Sequence, residues 1–285
     1  MDKLRETIVH GTPDFPFARY RLSASKVGAH MCGVHWHPEQ EIIFVKEGTV
    51  DLLYDRRSLQ LSSGDIAFVP PGEVHYIQSV TSRSAYTAFV FSLSLISLPE
   101  SNFFQKQILQ PLETGKLRFP PVVRSSDPLQ QKVAQNLIPL IECDLKSDAS
   151  KFTALRGILD ICGILSSSML QTSQNETGKG TYIIKTCLHY METNYARKLT
   201  LQEIAQQVHL HPNYLCSLFR EYTGQTVFQQ LNRIRVEKAA KLLRMQNISV
   251  AQVGLLCGFD STGFFTKKFK TLTGFTPTEY KKHHQ

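Results

Sequence analysis

The hexapeptide FREYTG at residues 219–224 returns as FKTLTG at 269–274, fifty residues further on. A second pair of matching elements lies upstream of each copy. TLQEIAQQV (200–208) and SVAQVGLLC (249–257) both open with a hydroxyl residue followed three positions later by Glu or Gln. That spacing is a capping box, in which Thr200 with Glu203, and Ser249 with Gln252, satisfy free amides at a helix start. Each box leads into a short turn and a second helix start. His211 stands before Pro212, where a helix tolerates proline, and Asp260 or Ser261 serves the other start. The chain must therefore fold into helix, tight turn, helix, and do so twice. Between the copies, residues 227–245 carry Leu231, Ile234, Ala239, Leu242 and Leu243 along one face. A helix of that length spans about 28 Å at ~1.5 Å per residue, against the roughly 34 Å that separates successive major-groove faces of duplex DNA.

Charge points the same way. The formal net charge is +8, and residues 181–285 hold 14 Lys and Arg against 6 Asp and Glu, which is the whole excess. A basic region of domain size beside a neutral one suits a polyanion such as nucleic acid. In the second helix of each pair, Leu215, Leu218, Phe219 and Tyr222, and then Phe265, Phe269 and Leu272, form the inner face. Asn213, Cys216, Ser217 and Arg220 are left outward in the first copy, and Thr262, Gly263, Thr266, Lys267 and Lys270 in the second. Asn pairs with adenine, and Lys reaches guanine acceptors or phosphate.

The segment NYLCSLFREYTGQTVFQQLNRIRVEKAAKLL, followed by VGLLCGFDSTGFFTKKFKTLTGFTPTEY, resembles the AraC/XylS transcription regulators over residues 182–282. The resemblance implies seven helices, with reading helices over 212–223 and 261–273. It places base contacts at Asn213, Cys216 and Ser217, and at Thr262, Gly263, Thr266 and Lys267. Family members often carry serine where His211 stands. Imidazole accepts a cap bond less well, so slight fraying is expected at the first reading helix.

The first 95 residues read as strands. EIIFV (41–45), VDLLY (50–54), DIAFV (65–69) and YTAFVF (86–91) are separated by turn signals about every ten residues, as in an antiparallel sandwich or barrel. His35 and His37 alternate along one strand face, ahead of Glu41. Two imidazoles and a carboxylate, joined by His75 through the motif resemblance that follows, suit Mn, Fe, Ni, Cu or Zn. Gly64, Pro70, Gly72 and His75, together with His35, His37, Glu41 and Gly48, resemble the two cupin motifs, with Ser79 replacing the usual asparagine. Three uses of the pocket stay open: direct binding of a small organic effector such as a sugar, a metal that binds or senses the effector, and a structural polar cluster. Trp36 and Phe44 are candidates for stacking on a sugar ring, although alternation turns Trp36 outward. Tyr20, Arg21 and His30 are further candidate contacts.

From about residue 100 the apolar period becomes helical. Val133, Leu137, Leu140 and Ile141 form one stripe, with Pro139 as an expected kink or break. Phe152, Leu155, Ile158, Leu159, Cys162, Leu165 and Met169 form another. QTSQNETGKGT (171–181) contains no apolar residue and reads as a linker. Six scattered cysteines with no C-x-x-C pair fit neither a zinc ribbon nor a disulfide framework, and suit a reducing compartment.

The expected fold is a multidomain α+β chain. Residues 1–95 form a cupin-like effector-binding antiparallel β-barrel, 96–170 a flanking helical segment that dimerises, 171–181 the linker, and 182–285 an all-α domain with two helix-turn-helix units. The expected protein is a cytoplasmic, non-enzymatic regulator. Its partners are promoter DNA, a small-molecule effector, a second copy of itself, and RNA polymerase if it activates; no membrane is involved. No cofactor is required by this reading, but a divalent transition metal at His35, His37, Glu41 and His75 remains an alternative. The rival is a metal-dependent cupin sensor or enzyme fused to a DNA-binding domain.

Overall fold

The computed structural model describes residues 10–54, 56–172, 178–245 and 248–284. The chain divides into two compact units, the first running through residue 178 and the second from Lys179 onward.

The first unit is built on two antiparallel sheets. One has five strands in the order β1 (Phe17–Ala24), β8 (Ser84–Phe91), β3 (Gln40–Glu47), β6 (Ile66–Val69) and β10 (Val122–Val123). The other has four, in the order β2 (His30–His35), β7 (His75–Ser79), β4 (Thr49–Tyr54) and β5 (Arg57–Ser62). Side-chain parity explains why they stack. Ile43, Val45, Ala67, Val69, Tyr86 and Ala88 of the first sheet share one core with Val50, Leu52, Tyr54, Leu61 and Ile77 of the second. This is the flattened form of the expected barrel; no ladder joins the two sheets among the described residues. The tight β3–β4 turn depends on Gly48 at φ 71°, where a Cβ would meet the Arg83 carbonyl oxygen at 2.0 Å.

The five-stranded sheet is apolar on its outer face as well. Phe17, Ile42, Ile66, Phe68, Phe89 and Phe91 pack against helices, which is why β6 and β8 read as near-continuous apolar runs. A short helical stretch, Gln105–Leu109 leading into α1 (Gln110–Glu113), precedes the two-residue strand β9 (Leu117–Arg118). Helices α2 (Pro128–Glu142) and α3 (Asp148–Leu165) complete the layer. Asp127 caps α2 by accepting from the Leu129 amide at 2.8 Å, and Ser147 caps α3.

Pro139 does not break α2, which continues to Glu142. The last carbonyls are instead met by guanidinium groups from β1. Arg19 donates to Leu140 and Cys143 at 2.6 and 2.7 Å, and Arg21 to Ile141. The α2 stripe is buried as expected, but the α3 stripe is not one face. Ile158, Cys162 and Leu165 are buried beside Ala154, Gly157 and Ile161, whereas Phe152 and Leu159 are 69% and 40% exposed. Of the expected linker, Gln171 lies in β11 (Leu170–Gln171), which pairs with β9, and residues 178–181 are already helical. Residues 173–177 lie outside the described residues.

Among the described residues the second unit has seven helices, as the resemblance implies: α4 (Gly178–Asn194), α5 (Leu201–Gln206), α6 (Pro212–Thr223), α7 (Val227–Met245), α8 (Val250–Leu256), α9 (Thr262–Thr273) and α10 (Pro277–His284). Both expected capping boxes are formed. The repeated hexapeptide also has a local explanation. Phe219 and Phe269 are fully buried. The Thr223 and Thr273 hydroxyls donate to the carbonyls of those same phenylalanines at 2.7 and 2.8 Å. Gly224 and Gly274 then end the helices at φ 66° and 83°. Two further capping boxes that the sequence reading overlooked start the next helices, Thr226 with Gln229 and Thr276 with Glu279. Replacing Thr200 by Ala is expected to cost about 1 kcal/mol through loss of its cap, read as a lower midpoint in urea unfolding of the second unit. An unchanged midpoint would show that Glu203 alone holds the helix start.

Candidate functional site

The histidines and the glutamate converge. In β7, His75 shares the parity of Ile77 and points between the sheets, and in β3, Glu41 shares that of Ile43 and Val45. His35 stands directly opposite His75 on the paired strand β2, with ring centroids 4.1 Å apart. His37 is not on that strand, because β2 ends at His35. It enters from the connection to β3, held by its carbonyl, which accepts from the Gly72 amide at 2.8 Å. Gly72 sits at φ 77°, which accounts for glycine at this motif position.

Glu41 is the centre. Its Oε2 lies 3.2 Å from His37 Nε2 and 2.9 Å from His75 Nε2. One ligand atom from each of His35, His37, Glu41 and His75 lies within 4.8 Å of all the others. His37, Glu41 and His75 are buried. Each imidazole is held at its other nitrogen. Nδ1 of His35, His37 and His75 faces the carbonyls of Gly33, Glu39 and Glu73 at 2.8, 3.1 and 2.9 Å. A carbonyl only accepts, so each Nδ1 carries a proton, and a ring with that proton alone presents its Nε2 lone pair. Burial, helped by the neighbouring His35, pushes the His75 pKa down to about 4 despite the pull of Glu41. Burial also works against charge on Glu41, but in acid, once His75 takes up a second proton, its charge and the hydrogen bonding within the cluster outweigh burial and hold the carboxyl well below its usual range.

The arrangement gathers acceptors around one point. Ligands bound to a metal at about 2.0–2.2 Å stand roughly 3–4.4 Å from one another; the two contacts of Glu41, at 2.9 and 3.2 Å, lie at the short end of that range, and the whole set lies within 4.8 Å. The Nδ1 bonds to main-chain carbonyls are the supports that metal-binding imidazoles use. A second buried group, His10, His37 and Glu39, adjoins the first, with the His10 and Tyr20 side chains joined at 2.9 Å. Cys32 Sγ lies 3.6 Å from His35 Nδ1.

Other candidates fall elsewhere. Phe44 packs with the helix-facing cluster, away from the pocket. Arg21 is at the end of α2, and His30 is exposed. Trp36 is buried, not turned to solvent. Strand β2 is irregular between His30 and Cys32 and again before His35, so simple alternation fails there. The sequence reading missed Glu73 and Arg118, whose buried ion pair at 2.9 Å lies behind His75. Only Glu73 carried a local hint, standing two residues before a motif histidine.

On the second unit the side chains expected to face outward do so, apart from Thr266. Asn213, Cys216, Ser217 and Arg220 are exposed on α6; on α9, Thr262, Gly263 and Lys267 are exposed and Thr266 is half-buried. His211 does cap α6, its Nδ1 accepting from the Asn213 amide at 3.3 Å. Tyr214, 57% exposed beside Asn213, was not singled out from the sequence. Lys268 lies over the Phe264 ring, while Lys267 and Lys270 remain exposed.

A buried cluster of potential metal ligands between the sheets and a basic pair of helix-turn-helix units point to a ligand-binding transcriptional regulator. Residues 16–125 match the AraC-like ligand binding domain, and residues 204–283 match a helix-turn-helix domain. The chain belongs to the AraC-type transcriptional regulators. It is 24% identical to the HTH-type transcriptional regulator YdeC of Bacillus subtilis, over 98% of this chain and 96% of that one. It is also 24% identical to the HTH-type transcriptional activator RhaS of Salmonella schwarzengrund, over 97% of each. The solved structure of ToxT from Vibrio cholerae aligns with 94% of this chain and 99% of its own, at 14% identity and a TM-score of 0.48. Among the described residues no helix is long and apolar enough to cross a membrane.

Proposed function

We propose that this regulator holds a divalent transition metal at His35, His37, Glu41 and His75, and that the loaded pocket is where a small-molecule effector is sensed. One observation carries the reading: three imidazoles, each tied through Nδ1 to a main-chain carbonyl, converge with a buried carboxylate so that one ligand atom from each lies within 4.8 Å of the others. Buried acceptors facing one another are unfavourable, and a cation removes the conflict. The metal would supply a Lewis-acidic centre for an oxygen or nitrogen of the effector. Direct sugar capture on aromatic rings is less well supported, since Phe44 lies on the other face of its sheet.

The pocket senses and does not turn its ligand over, in line with the regulator relatives. Effector binding shifts the balance between two states of the molecule that differ in promoter affinity. Exposed Ile138, Phe152 and Leu159 on α2 and α3 support homodimerisation through that helical layer. Base and phosphate contacts are assigned to Asn213, Cys216, Ser217, Arg220, Thr262, Gly263, Thr266 and Lys267.

The test uses full-length protein purified without chelators and titrated with Co²⁺. One equivalent per chain, with a visible spectrum that disappears in His75→Ala, is expected; a wild-type chain that retains no metal overturns the reading. Sedimentation that shows only monomer at micromolar concentration removes the dimer. Lys267→Ala is expected to weaken binding to duplex DNA and to lower the slope of log affinity against log salt by about 0.9, the value of one phosphate contact. An unchanged slope removes that contact.

A further inference from the structure

Strand β11 is unusual in what holds it. It is two residues long, both of its side chains are exposed, and it pairs only with the two-residue strand β9. The Thr172 amide adds a bond to the Lys116 carbonyl at 3.0 Å. A ladder this short is not stable by itself. Its place depends on what anchors β9: Leu117 and the adjoining Phe119 pack on the helix-facing cluster, and the Arg118 guanidinium donates to Glu73 Oε1 at 2.9 Å. Both side chains of that pair are largely buried, at 19% and 6% exposure. Glu73 is also the residue whose carbonyl receives His75 Nδ1 at 2.9 Å. A small cavity lined by Gln40, Pro70, Pro71, Leu117 and Arg118 runs beside this path and leaves room for adjustment.

We infer that Arg118 is a positioning residue that carries the state of the sensor site to the strand leading out of the first unit. The links are His75 to the Glu73 main chain, Glu73 carboxylate to Arg118, and Arg118 through β9 to β11. The chain then runs on from Thr172 toward α4, which opens the DNA-binding unit at Gly178. A ligand that fixes the His75 ring fixes residue 73, holds the ion pair in register, and docks β11. An unsettled His75 loosens the pair, and β11 detaches because neither of its own side chains is buried. The element has two arrangements that the site can bias, as coupling between sites requires. The direction of this coupling rests on the metal reading above; the link from Arg118 to β11 does not.

Hydrogen exchange on full-length protein, with Co²⁺ as the probe, tests both. In the wild type, Co²⁺ should slow exchange at residues 170–172 by about 10-fold. Arg118→Met should bind Co²⁺ within about 3-fold of wild type and with the same visible spectrum. Exchange at Thr172 should then be fast with or without the ion, and DNA affinity should no longer respond to Co²⁺. Arg118→Lys should restore part of the slowing. Arg118→Met that keeps the Co²⁺-dependent slowing overturns the inference. If the wild type binds no Co²⁺, the metal reading falls, and the relay is judged on metal-free protein. There Arg118→Met and the size-matched Glu73→Gln, whose fold is checked by circular dichroism, should each speed exchange at Thr172 about 10-fold. Unchanged exchange in both ends the proposal.

Discussion

Glu41→Gln is expected to abolish tight metal binding and, at the same time, to raise the melting temperature of the metal-free protein. The two effects have one cause. In the wild type, Glu41 Oε2 faces His37 Nε2 at 3.2 Å and His75 Nε2 at 2.9 Å, with all three groups buried. The Nδ1 bonds to carbonyls leave both Nε2 atoms as acceptors, so the carboxylate meets lone pairs. An amide of the same shape brings N–H groups to that position and removes a buried charge. One made hydrogen bond contributes about 1 kcal/mol, and relief of an unsatisfied buried acceptor adds about 1–3. For a unit of this size each kcal/mol raises the melting temperature by roughly 2–4 °C. Metal affinity falls because the only anionic ligand of the set is gone. Loss of an outer support costs about 10–100-fold, so loss of the ligand itself should exceed 100-fold. Calorimetry of metal-free protein and Co²⁺ titration read the two arms. A lower melting temperature in the variant would mean that Glu41 pairs with protonated imidazole, making the cluster an ion-pair network that needs no metal.

How much of this was legible in the sequence depended on the range of each interaction. The second unit is written in local signals. Capping boxes span three residues, the Thr-Gly helix ends span two, and the inner faces of α6 and α9 recur at helical spacing. The bounds of α7 could therefore be read directly, while those of α6, and of α9 to within one residue, came with the resemblance to the AraC/XylS regulators. The pocket was legible through motif more than through geometry: the resemblance to the two cupin motifs brought Glu41 and His75 together with His35 and His37, whereas the alternation that paired the two histidines does not hold, since β2 ends at His35. Errors arose where a distant partner decides. Arg21 looked like a pocket residue, but it meets a carbonyl 120 residues away at the end of α2. Pro139 looked like a breaker, yet α2 continues past it, its final carbonyls taken by Arg19 and Arg21 from β1. Phe152 and Leu159 share the apolar period of α3, but the sheet covers only one side of the helix, and Ala154 and Gly157 take the close approach. Gly157 in particular lies where a Cβ would stand 3.0 Å from the Asn136 carbonyl oxygen, so the contact with α2 selects the smallest residue there. Arg118 and Glu73, 45 residues apart, leave no local trace of their pairing.

The duplication makes its own quantitative prediction. Phe219→Ala and Phe269→Ala should each destabilise one half of the second unit by about 3–5 kcal/mol. Both side chains are fully buried at equivalent places before a Thr-Gly helix end. Phe269 lies edge-on to Phe265 and to Tyr280, with ring centroids 5.6 and 5.3 Å away, so its loss opens the seam between α9 and α10. Domains of this size are stable by only about 5–15 kcal/mol, so either change leaves its reading helix marginal. The halves are joined through α7, which buries Val227, Leu231 and Ile234 early along its length, and Val236, Ala239 and Leu243 in the cluster that holds Phe265 and Phe269. Hydrogen exchange should therefore show Phe269→Ala releasing α9 first, and Phe219→Ala releasing α6 first. DNA binding at low salt distinguishes them further. Loss of α9 removes exposed Lys267 and Lys270, whereas loss of α6 removes Arg220 alone. The salt dependence should drop by about 1.8 for the first and about 0.9 for the second, while Co²⁺ binding in the sensor unit stays at the wild-type level in both. Equal salt slopes, or simultaneous release of α6 and α9 in both variants, would show that the helix pairs fold and read DNA as one body and not as two separable heads.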